Sequence, residues 1–181
     1  MFVDGQLTIP ESGNQIPDIL DEALYSVHAW EQLQEADGGV RMGAESYRHP
    51  YGIYFADDDP LPFWTYARDP IHTARVAALF AQAARLVAPY NQAKSDELRG
   101  RAIKAYDYAV ANGVTEAVGG PMFYAASELF RLTGDARYST KFDATWVAND
   151  KFNAGPSIYG FMPWMSSYRD AAQPTIADHL L

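Results

Sequence analysis

The sequence predicts an all-α fold, a toroid or bundle of antiparallel helices, on three observations. Apolar residues recur with the 3.6-residue period of helices that bury one face. Alternation of period two, the mark of half-buried strands, is hard to find. Gly and Pro break the periodic runs at short intervals, so neighbouring helices must double back on one another. No strict internal repeat is present, which argues against a solenoid of fixed period.

Each element follows from its own residues. Pro17 suits the first position of a helix whose apolar residues are Leu20, Leu24, Val27 and Trp30, and Gly38-Gly39 is expected to stop it. Residues 40–68 carry Pro50, Pro60, Pro62, Gly43, Gly52 and the triplet Asp57-Asp58-Asp59. No regular element is expected there, and a loop of that length in a compact domain points to function. Asp69 is placed to cap a second helix that Pro70 opens and Pro89 ends; Val76, Leu79, Phe80, Ala83, Leu86 and Val87 trace its apolar stripe. A third helix presents Leu98, Ala102, Ala105, Tyr106 and Ala109 and stops at Asn112-Gly113. The fourth runs from about Pro121 through Phe123, Ala126, Leu129 and Phe130 to Thr133-Gly134-Asp135. A short fifth sets Tyr138, Phe142 and Trp146 at i, i+4 and i+8. Residues 153–169 are rich in Gly, Pro and aromatics, and Thr175 to Leu181 reads as a helix cut short.

Composition bounds the function. The 181 residues suffice for one domain with a sizeable core, and 48% hydrophobic with 20% charged residues is a soluble globular balance. A net charge of −9 without any run of Lys or Arg argues against nucleic acid and against an anionic membrane as partners. Without cysteine there is neither a disulfide nor a thiolate metal site. No stretch approaches the roughly 20 apolar residues of a membrane span, and the first residues do not resemble a signal peptide. Aromatics reach 14%, a level that fits either a packed core or a groove in which pyranose rings stack on side chains.

The most specific signal is the run from Asp4 to Ala23, DGQLTIPESGNQIPDILDEA. It closely resembles the "DG-x-L-x-IPESGNGIPDILDEA" segment of family-nine glycoside hydrolases, the inverting β-1,4-glucanases of the cellulase type. Two further blocks follow in that family's order. Asp69 to Leu86 is similar to its Ala-rich helix, and Phe123 to Tyr138, FYAASELFRLTGDARY, looks like "W-A-A-x-x-L-Y-x-A-T-G-D-x-x-Y" with Tyr124 where tryptophan is usual. The resemblance implies a barrel of six helical hairpins, of which this chain would supply about half. It also implies that residues 1–181 are a central fragment of one catalytic domain. The family's "D-A-G-D" aspartates and its late "N-E" glutamate have no counterpart here. Catalytic base and acid are therefore expected outside this chain, and the isolated chain is expected to be inactive and prone to associate through unpartnered helix faces. Gly119-Gly120-Pro121 stands where many members carry acidic residues that help bind calcium, so no metal site and no cofactor are expected.

Candidate site residues divide into those with a chemical reading and those with a structural one. Glu11, Asp18, Asp21 and Glu22 sit at a helix start, where carboxylates usually act as caps or dipole partners. Asp57-Asp58-Asp59 could hold a hard cation, but lacks a spaced ligand loop and reads more simply as a solvated turn. His49 stands in the long loop where related enzymes place a histidine that contacts a glycosyl unit; a turn hydrogen bond is the alternative. Trp64 and Trp164 lie in irregular segments and are candidates for a cleft, whereas Trp30 and Trp146 lie on helices and belong to a core. The expected substrate-binding set is His49, Trp64, Tyr124 and Trp164, facing one concave surface.

The resemblance implies hydrolysis of β-1,4-linked glucans or their oligosaccharides by a full-length secreted or periplasmic protein, with the rest of its own catalytic domain as partner. Two alternatives stay open: another α/α-barrel enzyme acting on amino sugars or uronides, and a non-catalytic helical sugar-binding module.

Overall fold

The computed structural model describes residues 2–48, 51, 52, 55, 58–118 and 120–148. Among these are five α-helices: α1 (Asp18–Leu33), α2 (Pro70–Val87), α3 (Gln92–Ala111), α4 (Gly120–Thr133) and α5 (Ala136–Ala148). Between α1 and α2 stand two short strands, β1 (Ala44–Ser46) and β2 (Phe63–Thr65), and a 3-10 turn at Glu116–Val118 precedes α4. Residues 153–169, the tail from Thr175 and the side chain of Trp146 lie outside the described part.

Helix α2 is the centre of the packing, against α3 on one side and α4 on the other, and α4 in turn packs on α5. The four residues between α2 and α3 force a reversal, so the helices alternate in direction as an α/α toroid requires. Small residues make the arrangement close. Ala74, Ala77, Ala78, Ala81 and Ala84 of α2 are fully buried, as are Ala102, Ala105 and Ala109 of α3. The distance between packed helices depends on the side chains at the contact, and alanine keeps it short. Larger buried side chains complete the core: Phe80, Leu98, Met122, Leu129 and Tyr138. Tyr106 meets Tyr138 edge to face with centroids 5.1 Å apart.

Helix starts follow the sequence closely. The Asp69 side chain accepts from His72 N at 2.6 Å and Pro70 takes the first position. Asn91, which the sequence reading did not single out, caps α3 by accepting from Lys94 N at 3.0 Å. Leu86, expected on the buried stripe of α2, is instead 44% exposed. It lies in the C-terminal turn of α2.

Two expectations are corrected by the structure. Helix α1 ends at Leu33, five residues before Gly38, so the Gly38-Gly39 pair is not its stop. The pair is needed for close approach. Gly38 has φ +97°, and a Cβ there would stand 2.3 Å from the Lys104 carbonyl oxygen of α3. A Cβ on Gly39 would meet the Tyr108 ring at 2.7 Å. The second correction is the β-hairpin within residues 40–68, where no element was expected. Its strands are three residues long and mostly exposed, so neither a buried face nor a polarity alternation marks them in the sequence.

The N-terminal segment owes its irregular composition to three acceptors. Asp4 accepts from the backbone N–H groups of Gly13 and Gln15 at 2.6 and 2.7 Å. Asp18, fully buried, accepts from Gly5 N at 2.8 Å and Leu7 N at 2.5 Å. Asn14 donates to Asp21 at 3.1 Å. Asp18 and Asp21 thus tie the preceding loop to α1 rather than capping it, and no side chain caps this helix. The Leu7 N–H above all holds the Asp18 carboxyl below its ordinary value.

Candidate functional site

The hairpin pairs Ala44 with Thr65, Glu45 with Trp64 and Ser46 with Phe63 in antiparallel register. Backbone bonds extend the ladder at both ends, from Tyr47 N to the Pro62 carbonyl at 2.8 Å and from Met42 N to the Ala67 carbonyl at 3.3 Å. Directly opposed residues share a face and successive residues alternate. Glu45, Tyr47, Trp64 and Tyr66 therefore project from one face, and Ala44, Ser46, Phe63 and Thr65 from the other.

That first face is aromatic and open. Trp64 is 61% exposed and Tyr47 67%, with ring centroids 6.0 Å apart at a tilt of 40°. The Tyr66 hydroxyl donates to Glu45 Oε2, and this carboxylate contact is the main reason the phenol sits above its ordinary pKa. Together with Ser46 and Thr65 these residues line a shallow recess of about 160 Å³. Its lining sets aromatic rings and hydrogen-bonding groups side by side.

An ion-pair cluster fixes the stem of the hairpin to the helices. Arg41 meets Glu35 at 2.6 Å, and Arg68 meets Glu35 at 3.2 Å and Asp37 at 2.5 Å. Arg41 also donates to Thr65 Oγ1 at 3.2 Å and to the Tyr66 carbonyl at 3.3 Å. The Arg68 guanidinium lies 5.6 Å from the Tyr108 ring centroid of α3. The Gly39 N–H, and then Arg68, hold the Asp37 carboxyl below its ordinary value. Below the cluster, Val40 is fully buried and its N–H donates to Thr73 Oγ1 at 3.0 Å, anchoring the chain to α2.

The expected site residues fall into unlike surroundings. Trp64 is an open ring on the hairpin. Tyr124 is 9% exposed in the interface between α4 and α2, and its hydroxyl donates to Gln82 Oε1 at 2.9 Å. Burial pushes its phenol pKa upward, as an enclosed ring requires. His49 and Trp164 lie outside the described residues. Trp30 packs partly buried against the core, its ring 4.8 Å from that of His72. Of the aspartate triplet, Asp57 lies outside the described residues; Asp59 accepts from Ser46 Oγ and from Leu61 N, which makes it a turn residue. Among the described residues no group of three or more His, Asp or Glu side chains could hold a metal ion.

Glu45, Tyr47 and Tyr66 were not singled out from the sequence. Their signal is a pair of two-step alternations, Glu45-x-Tyr47 and Trp64-x-Tyr66, too short to read as strands until the pairing aligns them.

Comparison with known proteins gives the family of this helical chain. Residues 56–179 match the model of Glycosyl hydrolase family 9, and the chain belongs to that family. It is 28% identical over 160 residues to Endoglucanase C of Cellulomonas fimi, covering 77% of this chain and 14% of that protein. Cellulose 1,4-beta-cellobiosidase of Acetivibrio thermocellus is 26% identical over 162 residues, covering 76% of this chain and 18% of that protein. A metagenome-derived glycoside hydrolase family 9 endoglucanase superposes on 99% of this chain with a TM-score of 0.82 and 26% identity, covering 36% of that structure. The chain thus spans roughly a seventh to a third of the relatives it matches.

Proposed function

We propose that this chain forms a substrate-binding wall of an inverting β-1,4-glucanase, and that the hairpin face holds a glucan chain by stacking. The observation that carries the reading is the exposed Tyr47–Trp64 pair beside Glu45 and Tyr66, in a chain of this family. Pyranose rings present flat C–H faces that lie on aromatic rings, while their equatorial hydroxyls point sideways toward hydrogen-bonding groups. His49 and Trp164 are retained as proposed sugar contacts; Tyr124 is assigned to helix packing.

Inverting hydrolysis needs a carboxylic acid to protonate the glycosidic oxygen and a carboxylate to activate water, about 6.5–9.5 Å apart. In this proposal neither belongs to residues 1–181, which are one part of a single catalytic domain. The relatives named endoglucanase and cellobiosidase make cellulose or cello-oligosaccharides the first substrates to try. A polymeric glucan is met outside the cytoplasm, which favours a secreted or periplasmic protein.

The test is the anomeric configuration of the first product released from cellopentaose by the full-length protein that contains this chain, followed by proton NMR. The α-anomer is expected at early times. Early β-anomer, or no cleavage of any β-1,4-glucan, would reject the reading.

A further inference from the structure

We propose that Glu45, held by Tyr66, is a specificity-determining acceptor that makes the hairpin face select uncharged glucans over chains bearing uronic-acid carboxylates. This rests on the hairpin being sugar-binding and adds which sugars it admits. Glu45 stands directly across from Trp64 in the ladder, a spacing of about 4.5–5.5 Å between Cβ atoms. A ring stacked on the indole would therefore carry its edge hydroxyls over the carboxylate. An ionised carboxylate can accept about four hydrogen bonds, and the Tyr66 phenol takes one of them. The remaining capacity points to hydroxyl donors, which every neutral pyranose supplies.

Glu45 would be a mobile surface side chain without its support. Tyr66 pins one oxygen, and Tyr66 is itself fixed through its backbone. Its N–H donates to the Gly43 carbonyl at 3.0 Å, and its own carbonyl accepts from Arg41, which Glu35 holds at 2.6 Å. Tyr66 is thus a positioning residue and Glu45 the group that touches sugar.

Selectivity follows from charge. The six residues lining the recess include one carboxylate and no Lys or Arg. Arg41 is engaged by Glu35 at the stem, and Arg48, directly after Tyr47, is not among the residues lining the recess. Among the described residues lining the recess, no cation would offset the meeting of Glu45 with a ligand carboxylate placed over Trp64. Two like charges about 4 Å apart in water repel enough to shift binding about fivefold, and more where solvent is displaced.

The experiment is calorimetric binding of cellotetraose and of its C6-oxidised, glucuronic-acid-containing counterpart to the native protein and three variants. The native protein is expected to prefer the neutral ligand by about fivefold or more. Glu45→Gln should weaken the neutral ligand by about three- to tenfold and collapse the preference to near unity. Tyr66→Phe should erode the preference less, and in Glu45→Gln the Tyr66 phenol should titrate closer to 10.0 in ultraviolet difference spectra. Trp64→Ala should weaken both ligands together. If Trp64→Ala changes neither, the hairpin reading itself fails. If Trp64→Ala weakens both while Glu45→Gln leaves affinities and their ratio unchanged, the specificity role alone is overturned.

Discussion

The helical layer and the hairpin use hydrophobic residues in opposite ways. Where α2 and α3 pack, eight alanines from Ala74 to Ala109 are completely enclosed, while on the hairpin large aromatic rings stand in solvent. Packing selects small groups where helices must lie close. Packing within these residues gives no reason to expose Tyr47, Phe63, Trp64 and Tyr66 in and beside one pair of short strands, because exposed rings forgo the burial that stabilises a fold. Scaffold and proposed recognition face are thus separated in space, and the ion-pair cluster around Glu35, Arg41 and Arg68 joins them.

That separation makes substitutions fall into two groups. The largest stability effect is expected at the joint. Gly38→Ala places a methyl against the Lys104 carbonyl and forces a non-glycine residue to positive φ, so a loss of about 1–3 kcal/mol is expected in denaturant melts. An unchanged midpoint would mean that the Gly38 turn does not pack on α3 as described.

Trp64→Ala should do the reverse. Stability should change little, since the ring is mostly exposed, while sugar binding weakens by about 1–3 kcal/mol by analogy with stacking of bases on aromatics. Steady-state kinetics should record this as a raised KM with a smaller change in kcat; a melt lowered as much as by Gly38→Ala would erase the contrast between the regions.

Capping loss comes next in size. Asp69→Ala removes the acceptor for His72 N and should cost about 1 kcal/mol in thermal melts, without altering affinity for oligosaccharide.

The smallest effect is pH dependence. Asp18 and Asp37 are both held below their ordinary value of 3.8, so the folded chain binds fewer protons there than the unfolded one. Their stabilisation is complete above about pH 4 and is lost as pH falls through the lowered folded values. Carboxyl NMR titration should find both midpoints below the ordinary aspartate value of 3.8; midpoints at that value would remove Asp18 and Asp37 as anchors.

The helices were legible because each carries redundant local signals. Asp69-Pro70 marks a start, Asn112-Gly113 a stop, and Leu98, Ala102, Ala105, Tyr106 and Ala109 a face. The motif from Asp4 to Ala23 was legible as a family signature, but its cause was not. The acceptor roles of Asp4 and Asp18 span nine to thirteen residues, and such contacts leave no periodic trace. The hairpin escaped for a related reason: three-residue strands exposed on both faces have no core side to pattern them. Trp64 could be picked out as an aromatic in an irregular segment, whereas Glu45 and Tyr66 gain meaning from a register that only the fold supplies. Tyr124 shows the converse, since a family block placed it in sequence while burial between α2 and α4 sets its role.

The most direct measurement of the division between scaffold and recognition face is a crystal structure of the native protein with cellotetraose. A pyranose ring lying parallel to the Trp64 indole at about 4 Å, with a hydroxyl on Glu45, is the expected result. An oligosaccharide bound elsewhere, with Trp64 and Tyr47 left facing bulk solvent, would contradict it.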